Sequence, residues 1–116
     1  MWNRPAEIAT TPSRAQTMSV EDIQRAVCHH FHLRSIDLTS KDRHKSVAFA
    51  RHVAMYLCKQ RLKCSFPEIG RAFGNRDHTT VMHADRKINQ LLAERRAVFN
   101  QVSELTNRIK MHARQN

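Results

Sequence analysis

A compact all-α domain, with a helix-turn-helix preceded by a basic loop and helix, is predicted by three observations. The 116 residues are 41% hydrophobic but only 6% aromatic, which suits a small helical core better than a broad sheet. The only glycines are Gly70 and Gly74, beside three prolines, too few for the many tight turns of a β-sandwich. Apolar residues recur at helical spacing along most of the chain.

Residues 1–17, with Pro5, Pro12 and several Thr, Ser and Ala, show no apolar period and read as a flexible N-terminal tail. Met18 is a candidate start of the folded unit, which is expected to span residues 18–112. A first helix begins at Ser19, a capping residue with Asp22 three positions on. Val20, Ile23, Val27 and Phe31 carry it to about residue 32. Ile36-Asp37-Leu38 is a short apolar anchor ahead of the basic loop Thr39–Lys45. A second helix, about 45 to 63, has Val47, Ala50, Ala54, Leu57 and Cys58 on one side. At about 100° per residue, Lys45, His52, Lys59 and Lys63 lie almost opposite.

Ser65 caps a short third helix, Pro67 suits its first turn, and Gly74 suits the left-handed residue that ends it. Asp77 is the expected N-cap of the next helix. Val81, Ile88, Leu91 and Leu92 form its apolar stripe, and Thr79, Thr80, His83 and Lys87 turn elsewhere. Two helices joined by so short a Gly turn make a helix-turn-helix. A break is expected near Arg95-Arg96, after which Val98, Val102, Leu105 and Ile109 define a covering helix.

The formal charge is +10, and its distribution is uneven. Residues 41–63 carry seven Lys or Arg against Asp42 alone, a local +6, while residues 19–40 come to −1. A surface this basic attracts polyanions. Cys28, Cys58 and Cys64 are odd in number and lack C-x-x-C spacing, which points away from a disulfide framework and toward a reducing cytoplasm. No apolar run approaches the roughly 20 residues of a membrane span.

The stretch Asn75-Arg-Asp-His-Thr-Thr-Val-Met-His-Ala-Asp-Arg-Lys-Ile88 is the richest in chemistry. In a helix-turn-helix the first turn of the second helix points into the major groove of DNA. Asp77 can accept from a cytosine amino group, His78 and the hydroxyls of Thr79 and Thr80 can bond base edges, and Ala84 can touch a thymine methyl. Lys45, Arg51, His52 and Lys59 are candidates for phosphate neutralisation, and Arg43 for a narrow minor groove. The blander reading of both features is a capped helix start and a solvated charged face.

Enzymatic readings find little support. Cys28 and His32, at i and i+4, are the only pair in the histidine-rich stretch able to share a ligand face. His78 and His83 lack H-E-x-x-H form, Cys58 and Cys64 lack a visible His and acid partnership, and Gly70 and Gly74 do not make a phosphate loop. No catalytic residues, metal, nucleotide or other cofactor are expected.

From Phe73 to Ile88 the chain resembles the C-terminal DNA-binding domain of the DnaA family of bacterial chromosomal replication initiators. The family signature F-G-x-R-D-H-T/S-T-V-x-H-A-x-x-K-I is met at every fixed position. Ser46-Val-Ala48, Ala54-Met-Tyr-Leu57 and Pro67-Glu-Ile-Gly70 fall where the family has similar segments, so the resemblance covers about residues 18 to 110. It implies binding to a DnaA-box-like site on double-stranded DNA in the cytoplasm, linked to replication initiation or its regulation. It assigns base contacts to Arg43, Pro67, Asp77, His78, Thr79, Thr80 and Ala84, and phosphate contacts to Lys45, Arg51, His52, Lys59 and His83. Other replication proteins are candidate partners; a membrane is not.

The chain departs from the family at Asp42, which interrupts the usual run of cations and is expected to weaken phosphate attraction. It departs also at Ala50-Arg51-His52, commonly Pro-Arg-Gln, at Asn75, often a second glycine, and at Asp85. A whole initiator also carries an ATPase domain and an N-terminal interaction domain, which 116 residues cannot hold. Met1-Trp2-Asn3-Arg4 resembles neither a tag nor a linker and favours a stand-alone gene product. The alternatives are a transcriptional regulator or competitor at such boxes, and an RNA- or protein-docking module.

Overall fold

The computed structural model describes residues 18–115, so the expected tail at residues 1–17 lies outside the described residues. Six helices and no strand are present among them. Helix α1, Val20–Phe31, starts with the expected reciprocal cap: the Ser19 hydroxyl accepts from the Asp22 amide at 3.2 Å, and the Asp22 carboxylate accepts from the Ser19 amide at 3.0 Å. Ile23, Val27 and Cys28 are buried, and Val20 and Phe31 flank them. The helix ends at His32, a non-glycine residue in the left-handed region (φ 59°), where the Leu33 amide donates to the Cys28 carbonyl.

The apolar anchor at Ile36-Asp37-Leu38 is a five-residue helix, α2 (Ser35–Thr39), that inserts Leu38 into the core. Five residues are too few to show a period, so sequence alone could identify only the anchor. Helix α3, Lys45–Leu57, is the central element. Val53, Ala54 and Met55 are consecutive and all fully buried, so neighbours cover most of its circumference. It does not run on as regular α-helix to residue 63. Cys58–Leu62 form a π-helical turn that keeps Cys58 inward, and Lys63 (φ 61°) stops it.

Helix α4, Phe66–Ala72, has its own reciprocal cap between Ser65 and Glu68, with Pro67 in the first turn. It ends two residues before Gly74. Phe73 is fully buried, and the reversal is made by two left-handed residues, Gly74 (φ 87°) and Asn75 (φ 57°). Helix α5, His78–Glu94, buries Val81, Ala84 and Ile88, breaks at the extended Arg95, and passes into α6, Arg96–Gln115. Val102, Leu105 and Ile109 of α6 close the core over α1 and α5, as their spacing predicts.

Both glycines are dictated by close approach. A Cβ on Gly70 would overlap the Arg76 carbonyl, whose own amide donates to Gly70 O at 2.8 Å; a Cβ on Gly74 would overlap the Thr39 carbonyl at the end of α2. The turn of the helix-turn-helix is thus packed against the element that leads into the basic loop. Gly74→Ala is expected to lower stability by at least about 2 kcal/mol, since it adds both a positive-φ penalty and a backbone collision. Asn75→Gly is expected to change it by less than about 1 kcal/mol. Urea unfolding midpoints of the two variants check this; equal midpoints would remove the packing constraint assigned to Gly74.

Candidate nucleic-acid interface

The first turn of α5 leaves its polar side chains outward. Asp77, His78, Thr79, Thr80 and His83 are all exposed, and Thr80, His83 and Lys87 share one face by their i, i+3, i+7 spacing. Asp77 occupies the N-cap position, but its carboxylate caps no backbone amide. It accepts instead from the Thr79 hydroxyl at 2.7 Å and lies 3.1 Å from His78 Nδ1. The expected cap is therefore corrected: the Thr80 amide is satisfied by the Asp77 carbonyl at 3.0 Å, leaving the carboxylate turned outward. The Thr79 bond, followed by the nearby His78, holds that carboxyl below its ordinary range, so it is an anionic acceptor at neutral pH.

Beside this turn runs the basic loop. Lys41, Asp42 and Arg43 on one side and Asn75, Asp77 and Thr80 on the other line a single cleft of about 360 Å³. Residues more than thirty positions apart in sequence are thereby brought to one surface, with Arg43 on the same face as the start of α5. Lys45, the first residue of α3, is exposed at the loop's end, and no side chain caps that helix. Pro67 is exposed in the first turn of α4.

Four expected contact residues are placed elsewhere. Arg51 is only 6% exposed, and its guanidinium donates to three loop carbonyls: Leu38 at 3.1 Å, Asp37 at 3.0 Å and Asp42 at 3.1 Å. It braces the loop from behind. His52 is half-buried; burial, then the charges of Lys87, Arg51 and Arg76, pushes its pKa down, so it offers a neutral ring rather than a cation. The Lys59 ammonium donates to the Cys64 carbonyl at 3.3 Å and sits 4.5 Å from the Phe66 ring centroid, held in the turn before α4. Ala84 is 2% exposed and packs into the core, not outward with its polar neighbours.

Arg76 and Lys87 were not among the expected contacts. Arg76 donates from Nη2 to the Ser40 carbonyl, a partner 36 residues away, and no local pattern could reveal that bond. Lys87 was legible as an outward residue at the i+7 position from Thr80, and its charge bears on His52. The Asp85 Oδ1 is buried without a hydrogen-bond partner, and nothing in the structure explains it.

The catalytic and metal readings gain nothing from the geometry. Cys58 is fully buried, and burial pushes its thiol up to about 12, far from a thiolate nucleophile. His32 sits on left-handed backbone past the end of α1, off the helical register that would align it with the buried Cys28. Among the described residues no three His, Cys, Asp or Glu side chains converge.

Comparison with known proteins gives concordant findings. A family model described as the bacterial DnaA protein helix-turn-helix matches residues 20–88. The chain is 50% identical over 93 residues to the chromosomal replication initiator protein DnaA of Clavibacter sepedonicus, covering 80% of this chain and 20% of that protein. It is 46% identical over 99 residues to the one from Cutibacterium acnes, covering 85% and 20%. The chain thus spans about a fifth of these relatives' length. A crystal structure of a DNA replication initiation factor superposes with a TM-score of 0.68 at 29% identity, over 90% of this chain and 32% of that one.

Arg51 tests whether the loop is braced from within. Arg51→Met is expected to destabilise the fold by roughly 2 to 4 kcal/mol, because three carbonyls lose charge-assisted donors. Arg51→Lys is expected to recover less than half, since an ammonium lacks the guanidinium fork. Urea unfolding reads both; an unchanged Arg51→Met midpoint would return Arg51 to a surface role.

Proposed function

We propose that this chain, which belongs to the bacterial DnaA helix-turn-helix family, reads a DnaA-box-like site on double-stranded DNA through the face formed by the basic loop and the start of α5. The observation that carries the reading is the shared cleft: it joins Arg43 to Asp77 and Thr80, so one duplex can meet both. The unit that does this is residues 18–112, and its role is linked to chromosome replication initiation or its regulation. Among the described residues no helix is long and apolar enough to cross a membrane.

In this reading the first turn of α5 enters the major groove. Asp77, already anionic, accepts from an exocyclic amino group, while His78, Thr79 and Thr80 offer donors and acceptors to neighbouring base edges. Pro67 approaches from the start of α4. The exposed Arg43 enters the adjacent minor groove, where a cation is favoured wherever the groove is narrow. Lys45 and His83 lie to either side as phosphate contacts, and Lys87, exposed on the same face of α5, joins them. Arg51 supports the interface by holding the loop, and needs no contact of its own.

A box duplex and a scrambled duplex, compared across a salt series, test this reading. Specific binding is expected at near-physiological salt with a preference of about 10³-fold or more. The log-log slope is expected near −3 to −4, matching about three phosphate contacts and the minor-groove Arg43. Equal affinity for both duplexes, or a preference for RNA, would sink it. Thr80→Ala or His78→Ala is expected to cost about 1 to 3 kcal/mol on the box and little on scrambled DNA, whereas Lys45→Ala weakens both alike and reduces the slope by about 1. Uniform losses from all three would show that the helix start does not read bases.

A further inference from the structure

The acid that interrupts the basic loop is not a free repulsive charge. Asp42 Oδ1 accepts from the His44 amide at 2.8 Å and lies 2.5 Å from His44 Nδ1. The Asp42 amide donates to the Ser40 hydroxyl at 3.2 Å, and its carbonyl accepts from Arg51, so the backbone that carries the carboxylate is held on both sides. The His44 side chain stays 84% exposed. It stands between Arg43 and Lys45, the two loop residues proposed to meet the duplex.

We propose that His44, clasped by Asp42, is a further phosphate-contacting residue of this face, and that its contact is made only while its ring carries a proton. The inference rests on the reading of this face as a duplex-DNA interface. Residues 41–45 carry +3 with His44 protonated and +2 with it neutral. The hold on DNA therefore loosens as pH rises.

The charged groups around the ring compete. Lys41, Arg43 and Lys45 flank it on its own segment, Arg51 lies behind Asp42, and Arg76 and Asp77 line the far side of the cleft. Of these groups, Asp42 is the one in hydrogen-bond contact with the ring. The Asp42 hydrogen bond, and then its charge, raises the His44 pKa above its ordinary value. The sign follows: the charge is fully present below the ordinary histidine value and is lost as pH rises through the raised one. Phosphates beside the ring shift the balance further the same way, so binding favours the protonated ring.

The full chain, titrated by fluorescence anisotropy against box and scrambled duplexes from about pH 6 to about pH 8.5, tests this. Both affinities are expected to fall about three- to tenfold across that range, with the log-log salt slope shallower by about 0.9 at the alkaline end, one phosphate contact fewer. His44→Gln is expected to bind both duplexes like alkaline wild-type protein at every pH, with no change of slope. Asp42→Asn moves the transition to lower pH, while His78→Gln leaves the pH dependence in place. By NMR, the His44 ring is expected to titrate at higher pH with DNA bound than free. A His44→Gln variant with the wild-type pH profile and slope, or a ring titration unmoved by DNA, overturns the proposal. Equal box and scrambled affinities with the His44 profile intact would instead count against the sequence-specific reading alone.

Discussion

The path of the basic loop depends on two arginines donating to its backbone carbonyls. Arg51, from the middle of the central helix, holds Asp37, Leu38 and Asp42, and Arg76, from the turn of the helix-turn-helix, holds Ser40. A buried guanidinium is costly unless its donors are satisfied, and here three carbonyls do that for Arg51, with the charges of Asp42 and Asp37 nearby. Removing them from water is offset by charge-assisted bonds that span residues 37–42. The loop therefore has one course over α3 and α5 rather than many. Gly74 completes the junction, because only a residue without a Cβ allows the turn to lie against the Thr39 carbonyl.

This bracing divides the cations of the chain into two groups with different work. Arg51 is buried and Lys59 half-buried, each donating to main-chain carbonyls, and His52 is neutral among three positive neighbours. Lys41, Arg43 and Lys45 on the loop and Lys87 on α5 are the exposed cations of the face. The cationic surface is thus smaller than residues 41–63 suggest by composition, and it is shared between two elements instead of forming a stripe along one helix. Asp42, the acid expected to weaken the loop, is drawn into the loop's own hydrogen bonding with His44.

The interior of the fold was legible wherever apolar residues repeat at a helical period. Ile23 and Val27 in α1, Val47, Ala50 and Ala54 in α3, Val81 and Ile88 in α5, and Val102, Leu105 and Ile109 in α6 are all buried as their spacing requires. Caps were legible where Ser precedes an acid by three, at Ser19 and Ser65, because the reciprocal bonds are local. Asp77 takes the expected N-cap position, but a hydroxyl two residues on and an adjacent imidazole draw its carboxylate away from the backbone. Helix α2 escaped notice because five residues carry no period, and the π-helical turn after Leu57 escaped because an extra residue in a turn leaves no compositional trace.

Sequence by itself determined the helical class, the helix-turn-helix, the outward polar turn from Asp77 to Thr80 and the excess of positive charge ahead of it. These follow from periodicity, capping and composition, which act over a few residues. Only the tertiary structure decided which charges are free. The partners of Arg51 lie 9 to 14 residues away and that of Arg76 lies 36 away, and Ala84 faces inward because α3 packs on its side of α5. Whether a polar or small side chain meets solvent is a property of what covers it. That is set by long-range packing, to which local spacing is blind.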